Sequence, residues 1–243
     1  MKKLTYTLSA LILFVSLSAS AQNKRKGNGK LTTQERIVDS FEELKVSRAF
    51  QVELTSSLKD QLTIYTDENL MEEIITEVKD GTLIIRNKKK SYLKPSNNKS
   101  IKIKILLVAL KSAKLSGSGK IHREEVLSSK SLNAQLSGSG KILLSLATEE
   151  VSTQLSGSGK IHLKGTSAYV DAKLSGSGSI RLQELQSKDA KANLAGSGSI
   201  YLRCTDNLNA TVAGSGRIRY FGEPTGKIHT KVAGSGSIRL SSE

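Results

Sequence analysis

Hydrophobic and polar positions alternate along most of the chain, and from residue 115 onward the alternation recurs with a fixed period. The pattern Leu-Ser-Gly-Ser-Gly-Lys-Ile-His begins at residue 115, and six variants of it begin at residues 136, 155, 174, 194, 212 and 232. A period near twenty residues is typical of stacked repeats, in which each copy forms one structural unit and contacts only its neighbours.

Within one copy, the side chains sort by position. Leu115 and Ile121 are apolar, whereas Lys120 and His122 occupy the alternate, outward positions of a pleated chain. Between the apolar positions, Gly117–Gly119 offers little side-chain bulk and can adopt a positive φ. Each copy therefore predicts a strand, a tight corner and a second strand.

Stacked copies place one isoleucine per repeat in a single internal ladder. These residues are Ile121, Ile142, Ile161, Ile180, Ile200, Ile218 and Ile238. A propeller blade needs about 40 residues, twice this period, and the alternation with paired glycines excludes helical repeats. Leucine-rich repeats need a Leu/Asn consensus that the chain lacks. We predict an all-β fold, a parallel β-solenoid with rungs of about 20 residues over residues 111–243.

Residues 37–110 alternate as strands do, without the glycine corner. A hairpin is expected from Ile74–Val78 to Thr82–Arg86, and a single helical turn over Asp67–Met71 with Asp67 as its cap. At Arg48-Ala49 the alternation shifts phase, which we interpret as a bulge. Because the first rung of a stack otherwise exposes an unpaired strand edge, we expect this region to cap the solenoid.

The first 36 residues have a different composition. Residues 1–21 combine Lys2 and Lys3, an apolar run too short to span a bilayer, and an Ala19-Ser20-Ala21 cleavage site, which together predict a secretory signal peptide. Residues 22–36 are basic and polar, and we expect a flexible leader. We therefore expect an exported protein without a transmembrane segment. Since no capping segment follows the last rung, a second copy is expected to cover it, giving a homo-oligomer.

Charge carries most of the functional information. The chain has 37 Lys and Arg against 22 Asp and Glu, a net charge of +15. Outward repeat positions collect cations that a solenoid would align as a basic stripe. The candidate polyanion-binding residues are Lys120, His122, Lys141, Lys160, His162, Arg181, Arg217, Arg219 and Arg239. Such a field favours acidic glycans or other envelope polyanions, although charges on exposed strands also keep proteins soluble and prevent edge pairing.

Other chemistries fit the sequence poorly. The glycines match neither the phosphate-loop nor the dinucleotide spacing, so we predict no nucleotide site. His122 and His162 are two rungs apart, about 10 Å, which is too far to share a metal ion. The single Cys204 can form no intrachain disulfide. We predict no catalytic residues, no metal and no cofactor. The alternative, a β-helix lyase or hydrolase acting on polysaccharides, would need carboxylates that converge on a groove.

Three features together resemble one protein family. They are the segment Phe50–Leu54, the stretch Val78–Ile85 and the recurrent Leu-Ser-Gly-Ser-Gly corners. The chain resembles, over roughly residues 37–240, the putative auto-transporter adhesins with a head GIN domain. This resemblance implies a β-helical, exported protein of Gram-negative bacteria, periplasmic, at the outer surface or secreted, and it brings no catalytic residues.

We therefore expect a non-enzymatic, exported structural or adhesive surface module that contacts acidic glycans or other polyanions through its basic face.

Overall fold

The computed structural model describes residues 23–88, 91–96 and 100–241. The predicted signal peptide, residues 1–21, lies outside these ranges. The described residues are 73% strand and 3% helix, which confirms the all-β prediction. Within the described ranges, no helix is long and apolar enough to cross a membrane.

The strands follow one another with short connections, and within the described residues a 3-10 helix, Glu68–Glu73, lies among them. They are β1 (Asn23–Lys26), β2 (Leu31–Ile37), β3 (Glu43–Ser47), β4 (Gln51–Ser56), β5 (Gln61–Asp67), β6 (Ile74–Lys79), β7 (Thr82–Asn87), β8 (Ser91–Lys94), β9 (Lys102–Leu107), β10 (Ser112–Gly117), β11 (Lys120–Gly138), β12 (Lys141–Gly157), β13 (Lys160–Gly176), β14 (Ser179–Gly196), β15 (Ser199–Cys204), β16 (Leu208–Gly214), β17 (Arg217–Phe221), β18 (Ile228–Ala233) and β19 (Ser237–Leu240).

Strands β10 to β19 stack in parallel as a solenoid of about six turns. The register between β12 and β13 runs from the Lys141–Lys160 pair to the Gly157–Gly176 pair, one full rung later. The predicted isoleucine ladder is present, because the first six of these side chains are fully buried. The seventh, Ile238, is only partly buried, since it lies in the last rung.

The glycine pair at each corner meets two separate demands. The first glycine has a positive φ in every copy, for example 116° at Gly157. The second, Gly159, lies so close to the previous rung that a Cβ atom would sit 2.7 Å from the carbonyl oxygen of Gly140. The rungs therefore stack through their backbones at this corner, which favours glycine at both positions.

The parallel stack also includes strands that lack the glycine motif. β3 pairs with β10 and β4 pairs with β11, so Val46 neighbours Leu115 and Val52 neighbours Ile121. Arg48, with a φ of 79°, takes the place of Gly117. The prediction of a bulge at Arg48-Ala49 is therefore wrong. It is a solenoid corner, because a single residue with positive φ turns the chain there.

Below this rung lies another, formed by a later part of the chain. β7 pairs in parallel with β3, and β9 pairs in parallel with β4. Antiparallel strands then cover the outer edges, β6 over β7 and β5 over β9, with β2 outside β5. The predicted hairpin forms around Asp80 and Gly81, both with positive φ. These pairings confirm the N-terminal cap.

Strands β1 and β2 lie mostly within residues 22–36, the segment expected to be a flexible leader. The structure differs because β2 pairs along its whole length with β5 through backbone hydrogen bonds. The apolar side chains of β2 are not buried by this pairing, since Leu31 is 57% exposed and Ile37 is 92% exposed. Without a buried face, the segment shows no alternation that a sequence pattern could reveal.

Asp67 holds the cap together rather than capping the helix by its side chain. It precedes the 3-10 helix, as predicted, but forms no capping hydrogen bond there. Its buried carboxylate accepts hydrogen bonds from the backbone N–H of Gly29 (2.8 Å) and of Ser96 (3.0 Å). Burial alone raises the pKa of Asp67, but the hydrogen bonds from Ser96 and Gly29 outweigh it and hold the pKa below its ordinary value.

This lowered pKa makes the cap sensitive to acid. A carboxylate with a depressed folded-state pKa contributes stability above its unfolded pKa, near 3.8, and loses that contribution as the pH falls through the lower folded value. We expect Asp67→Asn to weaken the cap at pH 6 by about 2 kcal/mol and to remove this acid dependence. Hydrogen exchange of β2 and β5 amides between pH 3 and pH 6 measures both effects. Equal protection in both proteins at pH 6 would contradict the assignment.

The last rung is less covered than the rungs before it. Ile228 and Val232 in β18 are 46% and 44% exposed, whereas their partners Leu208 and Val212 in β16 are 1% and 0% exposed. The expectation that a second copy covers this rung stays a prediction. Sedimentation at high protein concentration tests it, since a monomer throughout would contradict it.

Candidate polyanion-binding face

The nine predicted cations and histidines lie in two neighbouring columns, which we call the basic face. The first column contains Lys120, Lys141, Lys160, Ser179, Ser199, Arg217 and Ser237. The second column contains His122, Leu143, His162, Arg181, Tyr201, Arg219 and Arg239. With rungs about 4.8 Å apart, the six steps of a column span about 29 Å. The predicted residues are therefore brought together, with neutral residues interspersed.

Two further cations extend these columns toward the cap. Lys102 pairs with Gln51, which pairs with Lys120 and so continues the first column. Lys104 continues the second column through Glu53 and His122 in the same way. In the sequence, Lys102 and Lys104 alternate with isoleucines, but this alternation does not show where the strand lies, because β9 is below β4 in space although it follows β4 in the chain.

The lysines of the first column are free of ion pairs within the described part of the chain. No carboxylate oxygen there lies within 4.0 Å of the amino groups of Lys120, Lys141 or Lys160. Elsewhere lysines do pair, as Lys114 does with Glu43 and Lys173 with Asp171, both at 3.0 Å. The first column therefore presents uncompensated positive charge.

The second column is more strongly tied to its surroundings. The Nδ1 atom of His122 lies 3.0 Å from the carbonyl oxygen of Val52, so Nδ1–H donates a hydrogen bond to that oxygen. His162 contacts the Glu184 carboxylate at 3.0 Å. The Arg181 guanidinium lies 5.7 Å from the centre of the Tyr201 ring, within cation–π range.

Neither histidine belongs to a metal cluster among the residues that the structure describes, where no three His, Cys, Asp or Glu side chains converge. Leu143 separates His122 from His162 in their column.

A cleft of about 870 Å³ lies at the cap end of the basic face, and we call it the cap cleft. Its lining includes Leu31, Gln51, Tyr65, Lys102, Lys104 and Lys120. A smaller depression of about 210 Å³ shares Lys120 and His122 with it. The basic face is therefore grooved at this end, which the sequence pattern did not indicate.

Cys204 lies inside the solenoid, away from this face, and is fully buried. Burial raises the pKa of its thiol to about 11, with a smaller contribution from Asp189. Because the thiolate is the reactive form, we expect iodoacetamide at pH 8 to leave the folded protein unmodified and to alkylate it in urea. Rapid alkylation of the folded protein, measured by mass spectrometry, would show that the rungs around Cys204 open readily.

Comparisons with known proteins agree with this geometry. A family model described as "putative auto-transporter adhesin, head GIN domain" matches residues 40–224. The structure is similar to a putative adhesin from Bacteroides fragilis, with 28% identity, a TM-score of 0.82, and coverage of 89% of this chain and 100% of that one. It is also similar to a putative lipid binding protein from Parabacteroides distasonis, with 28% identity, a TM-score of 0.76, and coverage of 90% and 100%.

A third similar structure is a putative adhesin from Parabacteroides merdae, with 25% identity, a TM-score of 0.71, and coverage of 90% and 100%. The curated proteins contain no match. The family model covers more than half of the chain and runs from the cap into the solenoid. The chain therefore belongs to the family of putative auto-transporter adhesins with a head GIN domain.

Proposed function

We propose that this protein is a non-enzymatic, exported surface module whose basic face binds acidic glycans. The observation that carries the proposal is the first column, where Lys120, Lys141 and Lys160 lie on consecutive rungs and have no ion-pair partner among the residues that the structure describes. A linear chain with regularly repeated anionic groups can contact successive rungs of such a column.

The strength of this binding would come from many weak contacts. A single exposed ion pair contributes about 0.2–1 kcal/mol, so one lysine alone binds an anionic group only weakly. Several contacts along one tethered chain act together, because each one raises the effective concentration of the next anionic group. Salt screens exposed charges over about 10 Å at 0.1 M, so the binding should be salt-sensitive.

The position of the lysines argues against a role in protecting sheet edges. Charged residues protect sheets from aggregation when they lie on exposed edge strands. Lys141 and Lys160 lie on β12 and β13, which are paired on both sides. Edge protection therefore does not account for them.

The enzymatic alternative has less support on this face. Glycoside cleavage commonly uses two carboxylates that flank the scissile bond. In the two columns from β9 to β19, Glu53 is the one carboxylate among the described residues, and the nearby Glu184 is engaged by His162. A binding surface fits this arrangement better than a catalytic groove.

The test is binding of the protein without residues 1–21 to an array of acidic and neutral glycans at 20 mM and 150 mM salt. We expect binding to acidic glycans that weakens at the higher salt, and none to their neutral counterparts. Vesicles with anionic lipids form a separate arm, because one similar structure is named a putative lipid binding protein. Equal binding to neutral and acidic glycans, or binding to vesicles only, would overturn the proposal.

A further inference from the structure

We infer that the cap cleft binds the terminal residue of an acidic glycan, one sugar ring that carries an anionic group. This inference rests on the proposed function and adds to it a specific end point for the bound chain.

A single row of outward side chains connects the cap cleft with the basic face. Across five neighbouring strands the register aligns Thr33 (β2), Tyr65 (β5), Lys102 (β9), Gln51 (β4) and Lys120 (β11). Neighbouring strands lie about 4.8 Å apart. An aromatic ring, an ammonium group and an amide therefore follow one another at the spacing of a rung and lead directly into the first column.

Tyr65 is the unusual member of this row. The chain has six Tyr, four Phe and no Trp, and the Tyr65 side chain is 43% exposed at the wall of the cleft. An aromatic face can pack against the apolar face of a sugar ring, while its hydroxyl group stays hydrated. Lys102, its neighbour on β9, is placed to bind a carboxylate or phosphate group on that ring.

The positive charge stops at the cleft. Beyond Tyr65 the row continues with Thr33, which is neutral. The neighbouring row contains two carboxylates, Glu53 beside Lys104 in the cleft and Glu35 on β2 at the far side. Along the first column, an acidic chain thus meets Lys120, Lys102 and then the Tyr65 ring, with no further cation among the described residues of this row, which favours the chain end at this point rather than a chain passing through.

Short and long ligands separate this inference from the proposed function. The short probe is a tri-uronate, its control is a neutral trisaccharide of the same linkage, and the long probe is a polyuronate. Calorimetry gives the affinity of each probe for the wild type and for the variants. A phosphorylated diglucosamine in a competition arm distinguishes a phosphate-bearing end sugar from a carboxylate-bearing one.

We expect Tyr65→Ala to weaken binding of the tri-uronate about tenfold, as truncation of a central aromatic contact does, and Tyr65→Phe to retain it within about twofold. Tyr169→Ala is the matched control, since Tyr169 is exposed on another face of the rung. Unchanged tri-uronate binding by Tyr65→Ala would overturn the inference.

The two proposals fail in different ways. If polyuronate binding depends on Lys141 and Lys160 but Tyr65→Ala changes nothing, the proposed function stands and the inference is wrong. If no acidic glycan binds, both are wrong.

Discussion

Replacing Gly157 by Ala is expected to destabilise the protein by about 2–5 kcal/mol. Gly157 has a φ of 116°, which side-chain-bearing residues rarely adopt, and its added Cβ would lie 2.8 Å from the carbonyl oxygen of Gly138. The strain and the clash act together, because the rung can relieve the clash only by moving away from its neighbour. The urea midpoint measured by circular dichroism gives the size of the effect.

The neighbouring Ser158 provides the matched control. It lies at the tip of the same corner and is exposed, so Ser158→Ala should change stability by no more than about 0.5 kcal/mol. Gly234 provides a second comparison, because its added Cβ would also meet the previous rung, 2.6 Å from the carbonyl oxygen of Gly214, while among the described residues no further rung packs on its other side and resists a shift of the chain. Gly234→Ala should therefore cost less than Gly157→Ala. Equal urea midpoints for the Gly157 and Ser158 variants would contradict the stacking account.

Replacing Lys120, Lys141 and Lys160 together by Ser is expected to weaken binding of an acidic polysaccharide by about threefold to 150-fold. Three exposed ion pairs contribute about 0.6–3 kcal/mol in sum, and a loss of 1.4 kcal/mol is tenfold in affinity. Serine is the residue that the same column carries at positions 179, 199 and 237. The variant should therefore fold as the wild type does.

The control for this variant removes the same charge from other faces. Lys130, Lys188 and Lys191 are exposed and lie outside both columns. Their triple replacement by Ser lowers the net charge equally, so it should weaken binding only slightly. Calorimetric titration at 20 mM and 150 mM salt measures both variants. Equal weakening by the two would mean that net charge, and no particular face, attracts the glycan.

The solenoid could be predicted from the sequence because its determinants are local and repeated. Each corner shows the same glycine pair, and each rung shows the same alternation around Ile121 or its equivalents. The register then follows because equivalent positions of successive repeats stack on one another. The same stacking places the nine basic-face residues in two columns.

The cap was harder to predict because backbone pairing and chain order decide it. Arg48 forms a corner without glycine, so the corner motif is absent where the parallel stack already runs. β2 is held by backbone hydrogen bonds while Leu31 and Ile37 stay exposed, so no hydrophobic pattern marks it. β9 comes to lie beneath β4 across intervening strands.

The cap cleft depends on all of these features, since its wall and floor come from β2, β5, β9, β4 and β11. Strands that are far apart in sequence and run in both directions meet there, so no linear pattern could have brought Tyr65 and Lys102 together. The sequence shows the two lysines of β9, but it does not show that Tyr65 lies beside Lys102 in the cleft.

Lysine footprinting of the protein with bound acidic polysaccharide tests the central claim most directly, because it shows where the ligand lies. The protein is acetylated briefly with and without the polysaccharide, and mass spectrometry compares the modification of each lysine. Binding along the basic face predicts protection of Lys120, Lys141 and Lys160, with Lys130, Lys188 and Lys191 unchanged. Protection of the second set, or unprotected column lysines in a saturated complex, would contradict it.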